Sequence, residues 1–156
     1  MTKTILVPHD GNAMSDTALK YAIEIAKSMN MKIKLVRIIP EILDFSVVSF
    51  WTEAERRRVK REVRMMKKKA VETEYGKLKK QLSLINSRGL EGSAFVKEGV
   101  DVVEEVVRLI KKEKPYLVVV GSKKLKQRSR LSKIQLLGSV ARRLTEQSPQ
   151  PVLVVK

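Results

Sequence analysis

The chain has 156 residues, 43% of them hydrophobic and 32% charged, a composition that supports one compact domain spanning residues 1–156 and excludes intrinsic disorder. It contains no cysteine and a single histidine, which removes disulfides, thiolate metal sites and three-histidine metal centres. The formal net charge of +16 draws polyanions to the surface at low salt whatever the fold.

The opening MTKTILVPHDG holds no apolar run long enough for a signal peptide, and no segment reaches the roughly 18 apolar residues of a membrane span. A soluble, cytoplasmic protein without a membrane span is therefore expected. TILVP, Thr4 to Pro8, is a short apolar and β-branched run stopped by proline, as in a buried strand. The turn His9-Asp10-Gly11-Asn12 follows. Ser15 is then the expected N-cap of an amphipathic helix, with Ala18, Leu19, Ala22, Ile23 and Ala26 at helical spacing and an end near Asn30. KIKLVRII, residues 32–39, reads as a second strand: Ile33, Leu35, Arg37 and Ile39 share one face, and Val36 and Ile38 the other.

Residues 41–51 read as a loop carrying exposed apolar groups. Thr52-Glu53-Ala54-Glu55 has the form of a capping box, and it opens a long helix with Val59, Val63 and Met66 in its apolar stripe, strained at Gly76 and stopped by Gly89. SAFVKEG, after Gly92, predicts a third strand. Asp101 caps a helix that buries Val102, Val103, Val106, Val107 and Ile110. PYLVVVGS, from Pro115, predicts a fourth strand, Gly138-Ser139 opens a last helix, and PVLVV, from Pro151, closes the chain as a fifth strand.

Strand and helix alternate throughout, which implies an α/β fold: a doubly wound parallel sheet with helices on both faces. In such sheets ligands bind beyond the carboxyl ends of the strands, where the strand order reverses. The turns after the first, second and fourth strands, around Asp10, Ile38 and Gly121, fall on that rim.

VPHDGNAMSDTAL, VVVGS and LLGSVARRLTEQSPQPVLVVK together resemble the universal stress protein family over essentially the whole chain, the segment from Leu136 to Lys156 being the most specific part. The resemblance implies a five-stranded parallel sheet of flavodoxin-like or adenine-nucleotide-hydrolase-like arrangement, and a stress-response role. It also implies a homodimer paired through the last strand, Pro151 to Val155, and, for one subclass, ATP binding. That subclass carries the motif G-x2-G-x9-G-S/T. Gly121 matches its first glycine and Gly138-Ser139 its last pair, but Lys124 stands where the second glycine belongs, and 16 residues separate Gly121 from Gly138 where the family has 12. On this resemblance Asp10 contacts the ribose, and Pro8 and the Ile38 backbone border the adenine. Gly11 belongs to the same site beside Asp10, and Gly121, Ser122, Lys124, Gly138, Ser139 and Val140 surround the phosphates, with magnesium or manganese accompanying the nucleotide. The bland alternatives stay open: Asp10-Gly11 as a plain turn, Gly138-Ser139 as a plain helix cap and Gly121 as a strand exit.

No G-x-S-x-G elbow, Walker loop or G-x-G-x-x-G fingerprint occurs, so hydrolase, P-loop and Rossmann chemistries lack their motifs. No catalytic residue is assigned, any ATP turnover is expected to be slow or incidental, and His9 reads as structural or solvent-exposed. Two basic segments remain. RRRVKREVRMMKKK, Arg56 to Lys69, sets nine basic residues against Glu62 alone, and the loop from Lys123 to Lys133 is basic throughout its charged positions. They read either as solvated surfaces or as the contact of a member that has lost nucleotide binding and acts as an interaction module on nucleic acid or another polyanion. Low aromatic content, 4%, argues against base-specific single-strand reading.

Overall fold

The computed structural model describes residues 2–123 and 137–156. Lys124 and most of the basic loop that runs from Lys123 to Lys133 lie outside the described residues.

Strand β1, Thr4–Pro8, leads into helix α1, Ala13–Met29, then β2, Lys32–Pro40, a 3₁₀ turn at Phe45–Val47, and helix α2, Glu53–Ser87. Next come β3, Gly92–Gly99, α3, Val102–Glu113, β4, Leu117–Gly121, α4, Ser139–Gln147, and β5, Val152–Val155. The five strands form one parallel sheet in the order β3-β2-β1-β4-β5. The α/β doubly wound fold expected from the alternation is therefore present. Its order reverses between β1 and β4, so the switch point lies where the turns after Pro8 and after Gly121 stand side by side.

The core divides by strand face. Ile5, Val7, Ile33, Leu35 and Val119 pack with Leu19, Ala22 and Ala26 of α1 and Ile85 of α2. On the other face Leu6, Val36, Val118 and Val120 pack with Val103, Val106 and Ile110 of α3 and Ala141 and Leu144 of α4. The alternation read in KIKLVRII is the reason: residues of period two divide β2 between the two layers. Each fully buried aliphatic side chain contributes about 1.5–3 kcal/mol relative to exposure, and both layers are needed to hold the switch point between them.

Local details depart from the sequence reading in five places. The N-cap of α1 is Asn12, whose side chain accepts the Ser15 N–H at 2.9 Å; Ser15 is buried inside the first turn, its hydroxyl donating to Asp10 Oδ1 at 2.6 Å. Helix α2 runs through Gly76 without interruption, because its packing outweighs the roughly 1 kcal/mol that glycine costs in a helix interior. The apolar stripe of α2, expected to continue through Leu78 and Ile85, is buried at Val63, Leu78 and Ile85, while Met66 is exposed; Val102, expected on the buried side of α3, is also exposed, because it stands in the first turn at the rim of the cleft. Strand β4 begins at Leu117, two residues after Pro115. Other signals hold: Thr52 and Glu55 form the capping box, Asp101 caps α3 through the Val103 and Glu104 amides, and Gly89, φ 75°, follows the end of α2. Among the described residues no helix is long and apolar enough to cross a membrane.

Two glycines of α2 and β4 make opposite demands. Nothing lies within 4 Å of a Cβ added at Gly76, whereas one added at Gly121 would stand 2.6 Å from the Met14 carbonyl carbon and nearer still to its oxygen. In urea unfolding, Gly76→Ala is expected to stabilise the protein by about 0.5–1 kcal/mol, and Gly121→Ala to destabilise it by about 1–3 kcal/mol.

Candidate functional site

The turn after β1 is built by short-range hydrogen bonds that its own sequence supplies. Asp10 Oδ1 accepts the Asn12 N–H at 3.0 Å, the two-residue return that aspartate side chains favour. Asn12 Nδ2 donates to Asp10 Oδ2 at 2.7 Å, and the Asp10 N–H donates to the Ser15 hydroxyl oxygen at 3.3 Å. Gly11 takes φ 86°, a left-handed conformation that a side chain resists. The carboxylate is thereby fixed in place. Burial pushes the Asp10 carboxyl up; the Ser15 hydroxyl, the Asn12 amide and the charge of Lys123 pull it down, and the net position lies below the ordinary carboxylate value.

His9 is buried. Its N–H donates to the Val36 carbonyl at 2.8 Å, joining the end of β1 to β2. Its Nδ1 accepts the Gly11 N–H at 3.2 Å, which places the neutral ring's proton on Nε2, where it donates to Asp16 Oδ1 at 3.0 Å. Gln81 Nε2 of α2 donates to the same oxygen at 3.3 Å. His9 is thus a structural histidine that fastens the turn to α1 and α2, with no free nitrogen to offer a ligand.

The turn after β4 is held just as closely. The Ser122 N–H donates to the Val155 carbonyl at 2.8 Å, and the buried Ser122 hydroxyl accepts the Gly138 N–H at 2.9 Å. Ser122 therefore straps the exit of β4 to the start of α4. Gly138 is the N-cap of α4 and makes no side-chain cap, so among the described residues the first-turn amides of Ser139, Val140 and Ala141 have no capping partner and stand at the rim. A Cβ at Gly138 would approach the Lys123 nitrogen to 3.2 Å, so the glycine there serves close packing of two backbones. On the far side, Arg143 Nη1 of α4 donates to Asp101 Oδ2 at 2.9 Å, clamping α4 to the cap of α3. The Arg143 hydrogen bond and the two capped amides hold the Asp101 carboxyl below its ordinary value.

These elements enclose a cleft of about 200 Å³ at the switch point. Pro8, Asp10, Ile38, Gly121, Gly138, Ser139 and Val140, all expected at the site, line it. Gly11 and Ser122 do not: Gly11 shapes the turn next to Arg37, and Ser122 lies behind the wall it fastens. Sequence reasoning missed the remaining lining, notably Lys123, Asn12 and Ser15 on the polar side and Val36, Val102, Val106 and Val120 on the apolar side. Asn12 and Ser15 were legible as cap-type residues two and five positions after Asp10; the valines, read as core positions of α3 and the strands, gave no separate signal. Half of the cleft is thus an apolar slot and the other half carries one carboxylate, one ammonium and the uncapped end of a helix. Among the described residues no group of three or more histidine or acidic side chains is placed to hold a metal ion. A divalent ion here would depend on ligand phosphates and water, as magnesium usually does.

A parallel α/β sheet with a polar-ended, apolar-walled cleft at its switch point defines a doubly wound, ligand-binding class of fold. The chain belongs to the universal stress protein family, whose model matches residues 1–156. It is 30% identical over 154 residues to universal stress protein MJ0531 of Methanocaldococcus jannaschii, covering 99% of this chain and 82% of that protein. Among solved structures, the hypothetical protein MJ0577 superposes with a TM-score of 0.72 at 26% identity, over 100% of this chain and 96% of the other. A universal stress protein in complex with cAMP superposes with a TM-score of 0.67 at 23% identity, over 99% and 97% of the two chains. One from Archaeoglobus fulgidus in complex with dAMP does so with a TM-score of 0.61 at 16% identity, over 100% and 98%.

The Asp10 carboxyl gives a pH signature. Because its folded value is depressed, its contribution to stability is complete above the ordinary value of 3.8 and is lost as pH falls through the lower folded one. Thermal unfolding from about pH 5 down to about pH 2 should therefore show a shallower acid loss for Asp10→Asn than for the unsubstituted protein.

Proposed function

We propose that this universal stress protein binds an adenine nucleotide, ATP in the first instance, in the cleft at the switch point, and that it acts by holding the nucleotide with little or no turnover. The observation that carries the reading is the pairing of an apolar slot with a fixed carboxylate and an uncapped helix N-terminus in one cleft. Purine and ribose recognition needs the first two, and phosphate the third. The complexes of two structural relatives with cAMP and dAMP support the same ligand class.

In this reading Pro8 and Ile38 border the adenine, with Val102 and Val140, both partly exposed, completing the slot. Asp10 accepts from the ribose hydroxyls, its carboxylate oriented beforehand by Asn12 and Ser15. The Gly138 N–H is engaged by Ser122, so the phosphate grip passes to the Ser139 and Val140 amides and to the Lys123 ammonium. Magnesium or manganese would accompany the phosphates and supply further charge neutralisation. The protein is proposed to work as a homodimer paired through β5, an edge strand of the sheet whose Val152, Leu153 and Val154 are only half-buried.

Titration calorimetry with ATP and magnesium tests the reading. Ser139 is the first residue of α4, where proline is tolerated, and Gly138, at φ −58° and ψ 150°, already has the extended conformation that precedes proline. Ser139→Pro thus removes one inward amide while leaving the helix intact, and is expected to weaken ATP binding about tenfold or more, as the loss of a hydrogen bond to a charged group does. Absence of heat at millimolar ATP, or affinity unchanged in Ser139→Pro and Asp10→Asn alike, removes the proposal.

A further inference from the structure

The segment between β2 and α2 exposes apolar side chains that the nucleotide cleft does not use. Leu43, Phe45, Val47 and Phe50 are between 57% and 79% exposed. They are displayed by a built knuckle: Asp44 caps the 3₁₀ turn by accepting the Ser46 N–H at 2.9 Å, Ser46 is buried, and the Trp51 Nε1–H donates to the Phe45 carbonyl at 3.0 Å. The Phe50 and Trp51 rings lie 5.1 Å apart, tilted by 42°.

The knuckle sits on the most basic part of the protein. The 3₁₀ turn packs against α2, and the Asp44 carboxyl is pulled down by its bonds with Ser46 and by the charges of Lys60 and Lys67 on that helix. At 100° per residue, Arg56, Lys60 and Arg64 line the same flank. Arg57, Arg58, Lys67 and Lys68 are each paired with a carboxylate; among the described residues Arg56, Lys60 and Arg64 are in no ion pair. Positive charge left without internal partners therefore borders a cluster of exposed apolar groups.

We infer that this knuckle and the adjoining flank of α2 form a docking surface for an anionic phospholipid bilayer, the apolar side chains entering the headgroup boundary while Arg56, Lys60 and Arg64 meet lipid phosphates. Charge complementarity supplies the long-range attraction, and the apolar cluster decides between the two polyanions that such a flank attracts. A nucleic-acid backbone offers nothing to Leu43 and Val47, whereas a membrane interface rewards apolar area and positive charge together.

Trp51 is the one tryptophan of the chain and reports directly on the knuckle. Full-length protein is mixed with vesicles of phosphatidylcholine alone, or of phosphatidylcholine with phosphatidylglycerol, the latter also carrying brominated acyl chains, at near-physiological salt. Co-sedimentation is expected only with the phosphatidylglycerol vesicles, with brominated chains quenching Trp51. Replacing Lys60 and Arg64 by glutamine should lower vesicle affinity about fivefold for each charge lost. Replacing Phe45 and Phe50 by serine should lower it on the order of tenfold and abolish the quenching, with the circular dichroism and melting temperature unchanged because both rings are exposed. No binding to phosphatidylglycerol vesicles overturns the inference, as does binding that the phenylalanine substitutions leave intact. Duplex RNA binding tighter than vesicle binding, and sensitive to the charge substitutions alone, overturns it in favour of nucleic acid.

Discussion

The contact on which the rest of the site depends is the close approach of Gly121 to the Met14 carbonyl. A strand end that carried a side chain could not let the first turn of α1 come so near, and the turn after β1 would be displaced from the turn after β4. Immediately beyond, Ser122 bonds forward to Gly138 and sideways to Val155. These contacts bring Asp10, on one loop, and the first turn of α4, on another, to opposite sides of a single cleft. The sheet sets where the cleft lies; the glycine and the serine set how narrow it is.

The polar groups of the rim are divided between scaffold and surface. His9 and Gln81 both bond to Asp16, and Ser122 spends its hydroxyl on Gly138. Asp10 differs, since its bonds come from Asn12 and Ser15 on its own turn and leave it exposed to the cleft. A carboxylate oriented in this way loses little freedom when a ligand hydroxyl arrives. Its depressed protonation and the neighbouring Lys123 follow from the same geometry, so charge recognition at the rim is a consequence of how the β1 turn folds. Elsewhere positive charge is concentrated in the N-terminal half of α2, several turns along the helix from the core contacts of Leu78 and Ile85.

Much of this fold is legible in the sequence, because the information is local. Apolar runs such as LVVV, period-two alternation in KIKLVRII and the capping signatures at Thr52 and Asp101 each specify an element by neighbouring residues alone. The α1 cap was misplaced because Asn12 and Ser15 are both good cap residues, and only the left-handed Gly11, which starts the helix early, chooses between them. Gly76 was read as a point of strain, yet the helix continues through it, because continuity there is decided by burial of Leu78 and Ile85, which propensity does not see. The glycines of the nucleotide motif were correctly placed on the rim, yet the geometry gives two of them packing duties: Gly121 against α1 and Gly138 against Lys123. The α3 wall of the cleft was invisible for the converse reason. Val102 and Val106 read as ordinary buried positions of α3, and only tertiary packing of α3 beside α4 turns their surface toward the cleft.

The central claim is that nucleotide phosphates rest on the uncapped start of α4 while the sugar meets Asp10. Amide-resolved NMR of the isotope-labelled protein, titrated with ATP and magnesium, addresses both ends of the ligand at once. The account predicts that the largest shifts fall on the amides of Asp10, Asn12, Ser139, Val140 and Ala141, with the Arg56–Lys69 face of α2 unmoved. Shifts confined to α2, or absent from the start of α4 at saturating nucleotide, would contradict it.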